Sequence, residues 1–122
     1  MILADANVWI NYFRSGDAQL QTLLQNSQVV MHPCLVAELA LGSLRDRNRT
    51  LSNLDSLPQA RVVALREIRR MIEARGLYAK GIGLIGTHLL ASCLIAPGTR
   101  LWTHDTALKG VAMALGLDAG LS

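Results

Sequence analysis

Three short apolar runs, Ile2-Leu3-Ala4, Val29-Val30-Met31 and Leu101-Trp102-Thr103, punctuate a chain whose other stretches carry helical stripes. Runs this short, bounded by turn residues, read as buried strands. Short strands alternating with helices argue an α/β sandwich around a mostly parallel sheet. The stripes fill the intervals. Asn7 is expected to cap a helix through Phe13, with Ser15-Gly16-Asp17 breaking it. Leu20, Leu23 and Leu24 mark a second helix. Pro33 opens a third at a position where its missing N–H costs little, and Val36, Leu39 and Leu41 follow before Gly42. Leu44, Leu51, Leu54 and Leu57 recur at helical spacing up to Pro58. Leu65, Ile68 and Ile72 form another stripe with Gly76 as C-cap. Leu84–Ala96 is apolar nearly all round, which implies a helix buried on most sides. Pro97-Gly98 then turns the chain, and Thr106–Leu115 is the last helix. The glycines between Tyr78 and Gly86 make that stretch the expected mobile loop.

The length of 122 residues suits one domain over 1–122, and 51% apolar content suffices for an ordinary core. No basic stretch leads into an apolar segment near Met1, so no signal peptide is expected. The longest apolar stretch, Leu89–Ala96, falls well short of the ~18–20 residues of a membrane span. Cys34 and Cys93 have apolar neighbours and are expected as buried thiols in a reducing, cytoplasmic setting; they make no zinc signature. The net charge of +3 comes from arginines in the middle of the chain, including Arg45, Arg66, Arg69 and Arg70. Such a face suits phosphate backbones, but charge alone favours an ordinary solvated helix face.

The positions of the acids say more. Asp5 ends the first strand and Asp105 follows the last, at the edge where open parallel sheets bind ligands. Each alone is as ordinary as any loop aspartate. Glu38 interrupts a strongly apolar helix, where it points either to solvent or into a pocket that offsets its charge. If the three converge, their repulsion calls for a divalent cation; Mg²⁺ prefers such oxygen ligands. That chemistry is metal-assisted hydrolysis of a phosphodiester. His32, His88 and His104 show no ligand spacing, Ser43 and Ser92 no nucleophile context, and no phosphate-binding glycine loop occurs. Thr103 could hydrogen-bond the Asp105 carboxylate or a phosphate, or, as an ordinary strand-end threonine, do neither. A phosphatase or phosphotransfer domain would want an Asp-x-Asp, and the second position here is Asn7.

Ile2-Leu3-Ala4-Asp5-Ala6-Asn7-Val8-Trp9-Ile10 resembles the opening of a PIN domain of the VapC toxin type. Pro33 through Glu38-Leu39 is similar to that family's second acidic motif. His88-Leu89-Leu90-Ala91-Ser92 is similar to the helix between its third and fourth motifs, and Leu101-Trp102-Thr103-His104-Asp105 to the late strand motif. The resemblance implies a PIN-like three-layer α/β/α sandwich with a central, mostly parallel sheet. It also implies an endoribonuclease toxin of a toxin–antitoxin pair, using Mg²⁺ or Mn²⁺, silenced by a VapB-like antitoxin and acting as a homodimer on RNA. By position, Asp5, Glu38 and Asp105 match acidic catalytic and metal positions, and Asn7 the small polar residue after the first. Asn7 and Thr103 are expected at the substrate.

One acidic position is missing. The family's third aspartate aligns with Gly86, and no Asp or Glu lies between Glu73 and Asp105. Gly86 leaves space that water could fill, so metal binding need not vanish. Losses in the outer shell of a metal site typically cost ~10–100-fold in affinity or activity, so this chain is expected to cleave RNA poorly or not at all. Deliberate inactivation and drift to a role that binds RNA or antitoxin without cutting both fit the gap.

Overall fold

The computed structural model describes residues 1–122. Its centre is a three-stranded parallel sheet in the order β2-β1-β3, with β1 at Ile2–Ala4, β2 at Val29–Val30 and β3 at Arg100–Trp102. Leu3 lies opposite Val30 on one side and Leu101 on the other, and Ala4 opposite Trp102. Leu3, Ala4, Val29 and Leu101 are buried, as expected of strands covered on both faces. Single-residue bridges extend both sides of this sheet, Met31 with Gln59 and Leu101 with Asp118. Met31 N–H donates to Pro58 O at 2.7 Å, and Ala119 N–H to Leu101 O at 2.8 Å. These segments satisfy backbone groups that a bare edge would leave open.

Seven helices flank the sheet: α1 (Ala6–Ser15), α2 (Ala18–Gln25), α3 (Pro33–Ala40), α4 (Arg47–Asp55), α5 (Leu65–Arg75), α6 (Leu84–Ile95) and α7 (Thr106–Ala114). This is the α/β sandwich that strand–helix alternation implies, and every strand pair is parallel. None of the helices is long and apolar enough to cross a membrane. Gly16 ends α1 at φ 75° and Gly76 ends α5 at φ 61°, conformations that cost glycine nothing.

Several local expectations change. The cap of α1 is Asp5, not Asn7: its carboxylate accepts the Ala6 N–H at 2.8 Å. β3 ends at Trp102, so Thr103 lies just beyond the strand. α6 begins at Leu84, as its apolar run implies, so the expected mobile stretch ends before Gly86, which lies in the first turn of α6. Leu65 is 62% exposed although it falls on the α5 stripe, where Ile68 is the buried residue. Cys34, in the first turn of α3, is half-buried, while Cys93 is buried as expected.

The chain leaves β1 toward β2 and later returns to the opposite side of β1 as β3. The crevice beyond the C-terminal ends of β1 and β3 is therefore a topological switch point, the usual ligand position in open α/β sheets. Asp5 and Asp105 follow those two strands.

Candidate active site

At that crevice the backbone sets the geometry first. Asp5 N–H donates to Trp102 O at 2.8 Å, holding the ends of β1 and β3 together. The Asp5 side chain is 9% exposed and its two oxygens have separate tasks. Oδ1 accepts the Ala6 N–H at 2.8 Å. Oδ2 accepts the Thr103 hydroxyl at 2.8 Å and the Asn7 amide at 3.3 Å.

Thr103 is buried at 2% exposure, and its hydroxyl is fully used. While donating to Asp5 it accepts the Asp105 N–H at 3.0 Å and Asn7 Nδ2 at 3.3 Å. One donor and two lone pairs are all a hydroxyl has, so none remains for a phosphate. Its side chain bonds Asp5, and it meets Asp105 through the backbone N–H, so the hydroxyl is engaged within the protein. Asn7 is similarly engaged, its Oδ1 accepting the His104 N–H at 3.0 Å. Thr103 and Asn7 thus fix Asp5 relative to the β3–α7 turn. Asp105 Oδ1 accepts the Leu108 N–H at 2.9 Å and caps α7.

Glu38 arrives from α3. Asp5, Glu38, Asp105 and Gly86 line one open hollow, together with Leu108. Partial burial, and then the negative charge of Asp5, push the Glu38 carboxyl above the ordinary carboxylate range. No basic side chain offsets this charge, since the chain's one ion pair joins Arg70 to Glu67 on exposed α5. An acidic hollow with hard oxygen donors and no cation of its own suits Mg²⁺ or Mn²⁺. Such an arrangement can hold a divalent ion and accept a proton from water.

Gly86 stands on the wall of this hollow, and the position a Cβ would take there is crowded. A Cβ built there would lie 3.0 and 3.1 Å from the two terminal methyls of Leu108. Leu108 fills the direction a side chain would take from Gly86, while Gly86 still borders the open hollow. Leu108 gives its backbone N–H to the Asp105 cap at 2.9 Å, and its side chain lies against Gly86. Arg66, Arg69 and Arg70 are exposed on α5, the solvated helix face that charge alone favoured, and do not line this hollow.

The histidines fall outside this hollow. His104 is exposed, its ring 6.2 Å from that of Trp102. His32 is wholly buried, its Nδ1 accepting the Cys34 N–H at 3.0 Å to cap α3. Burial, and then the nearby His88, hold His32 below its ordinary value of 6.5. His32, Cys34 and His88 come together in space. Sequence spacing gave no sign of this beyond the His-x-Cys at 32–34, because His88 joins from α6.

No protein-family model matches the chain. It is 41% identical over 120 residues to a protein called ribonuclease VapC32 from Mycobacterium tuberculosis strain CDC 1551, and equally to its counterpart in strain H37Rv. The match covers 93% of this chain and 97% of each relative.

Proposed function

The chain belongs to the VapC-type PIN-domain ribonuclease toxins, and we propose that it is a divalent-metal-dependent endoribonuclease attenuated at one acidic position. Asp5, Glu38 and Asp105 are its metal-binding and catalytic carboxylates, Mg²⁺ its ion with Mn²⁺ as substitute, and Gly86 the vacant acidic place. The observation that carries this reading is the hollow itself. Three carboxylates, from the end of β1, α3 and the β3–α7 turn, line it; partial burial and then Asp5 disfavour the charged form of Glu38, and no protein cation neutralises them.

When bound, a divalent cation supplies a Lewis acid for the phosphodiester and a more acidic water. The protein's own groups do the rest. Thr103 and Asn7 hold Asp5 in one orientation. Asp105 retains Oδ2 for the hollow while Oδ1 caps α7. Glu38, with its raised affinity for protons, is the carboxylate best matched to accept one from attacking water. A VapB-like antitoxin belongs to the same proposal, in line with the VapC name of the relatives, and a homodimeric state and a cytoplasmic setting are proposed with it.

A second reading, a PIN domain that binds RNA or antitoxin without cutting, is favoured by the Leu108 methyls that close the wall at Gly86. Incubating single-stranded RNA with the purified chain and Mg²⁺ or Mn²⁺ separates the two. The first reading expects slow cleavage that EDTA and Asp5→Asn both abolish. RNA binding with no cleavage above the Asp5→Asn level would establish the second.

A further inference from the structure

We propose that His32, Cys34 and His88 form a second metal site, selective for Zn²⁺ and separate from the carboxylate hollow. An imidazole nitrogen from each histidine and the Cys34 sulfur all lie within 4.8 Å of one another. Ligands around tetrahedral zinc, with bonds of about 2.0–2.3 Å, stand roughly 3.3–3.8 Å apart. Cys34 and His88 are half-buried, and their side chains would have to move to close that difference on binding the ion.

The second observation is two orphaned nitrogens. His32 Nε2 and His88 Nδ1 are buried and have no hydrogen-bond partner, although their rings are 5.9 Å apart. His32 itself is 0% exposed. Buried polar atoms without partners are rare in native proteins and call for an explanation such as an ion. Two imidazoles and a thiolate are borderline-soft donors, which select Zn²⁺ over the hard ions that carboxylates prefer. Three protein ligands leave a fourth position for water.

The proton accounting is simple. A neutral His32 carries its proton on Nε2, because Nδ1 accepts the Cys34 N–H. Ligation through Nε2 moves that proton to Nδ1, so the cap on the Cys34 N–H is lost and the two N–H groups, 3.0 Å apart without the ion, must move apart. The Cys34 thiol gives its proton to solvent. The site has a structural consequence. Cys34 lies one turn before Glu38 on α3, and His88 lies two residues after Gly86 on α6. A bound ion would pin together the two helices that line the acidic hollow.

The test is titration of the full chain with Zn²⁺ in excess Mg²⁺, against a competing chelator, with Co²⁺ as optical probe. One Zn²⁺ per chain is expected, and a thiolate-to-cobalt charge-transfer band. Cys34→Ser should remove the band, and both Cys34→Ser and His88→Ala should lower Zn²⁺ affinity at least about 10-fold. Cys93→Ser should change neither, because that thiol is buried and pushed up to about 12. Asp5→Asn should also leave the site intact, which distinguishes it from the hollow. Absence of stoichiometric Zn²⁺ binding would overturn the proposal, leaving only a bridging water to satisfy the two rings. So would Zn²⁺ binding that Asp5→Asn removes and Cys34→Ser does not.

Discussion

Gly86→Asp is expected to raise Mg²⁺-dependent RNA cleavage about 10-fold or more, and Gly86→Asp combined with Leu108→Val to raise it further. A fourth carboxylate in the hollow adds an anionic donor at a wall now lined by a hydrogen atom. The backbone favours the change: residue 86 lies in the first turn of α6, whose N-cap Gly83 offers no side-chain bond, and an acid there complements the helix dipole. Packing opposes it. Leu108 is 3% exposed and its methyls stand 3.0 and 3.1 Å from the new Cβ. They are the far end of a flexible side chain, so the single variant folds with Leu108 displaced and the aspartate imperfectly placed. Valine withdraws the interfering methyls at a cost of about 1 kcal/mol in stability for the lost methylene. The rank order in single-turnover RNA cleavage should be double variant, single variant, unmodified chain. Equal rates in all three would show that the missing acid does not limit activity.

Thr103→Val is expected to weaken Mn²⁺ binding about 10–100-fold, and to lower cleavage equally in the Gly86→Asp background. Valine keeps the shape of threonine and removes the one hydroxyl that links both strand-end aspartates. Asp5 Oδ2 loses its 2.8 Å donor, and the Asp105 amide loses its acceptor. Leaving such groups unpaired costs about 1–3 kcal/mol, so denaturant stability should fall as well. The two readouts separate two roles. A drop in stability with unchanged Mn²⁺ affinity would make Thr103 a structural residue only.

The strands and most helices were legible because period and punctuation agree. Ile2–Ala4 is bounded by an acid, Gly16 and Gly76 stop helices through their backbone freedom, and Pro33 starts one. The acidic positions were legible too, since acids at strand ends in a parallel fold face one edge. Other features depend on contacts between distant residues. Asp5 and Asn7 are both good caps, and only the end of β1 at Ala4 decides for Asp5. The Thr103 hydroxyl turns to Asp5 rather than Asp105 because β1 and β3 pair in a register that no local pattern encodes. Leu108 against Gly86, and His88 against His32, arise from packing between separate helices. Cys34 looked buried from its apolar neighbours, yet its place in the first turn of α3 leaves it half-exposed.

Mn²⁺ titration of the unmodified chain, followed by the paramagnetic signal of free ion, addresses the central claim most directly. One weakly held ion per chain is predicted, lost in Asp5→Asn and Glu38→Gln and retained in Cys34→Ser. Because Glu38 holds its proton more tightly than an ordinary carboxylate, the proton competes with the metal, and affinity should fall as the pH is lowered toward the carboxylate range. Mn²⁺ affinity indifferent to both carboxylate substitutions would contradict a metal site built from Asp5, Glu38 and Asp105.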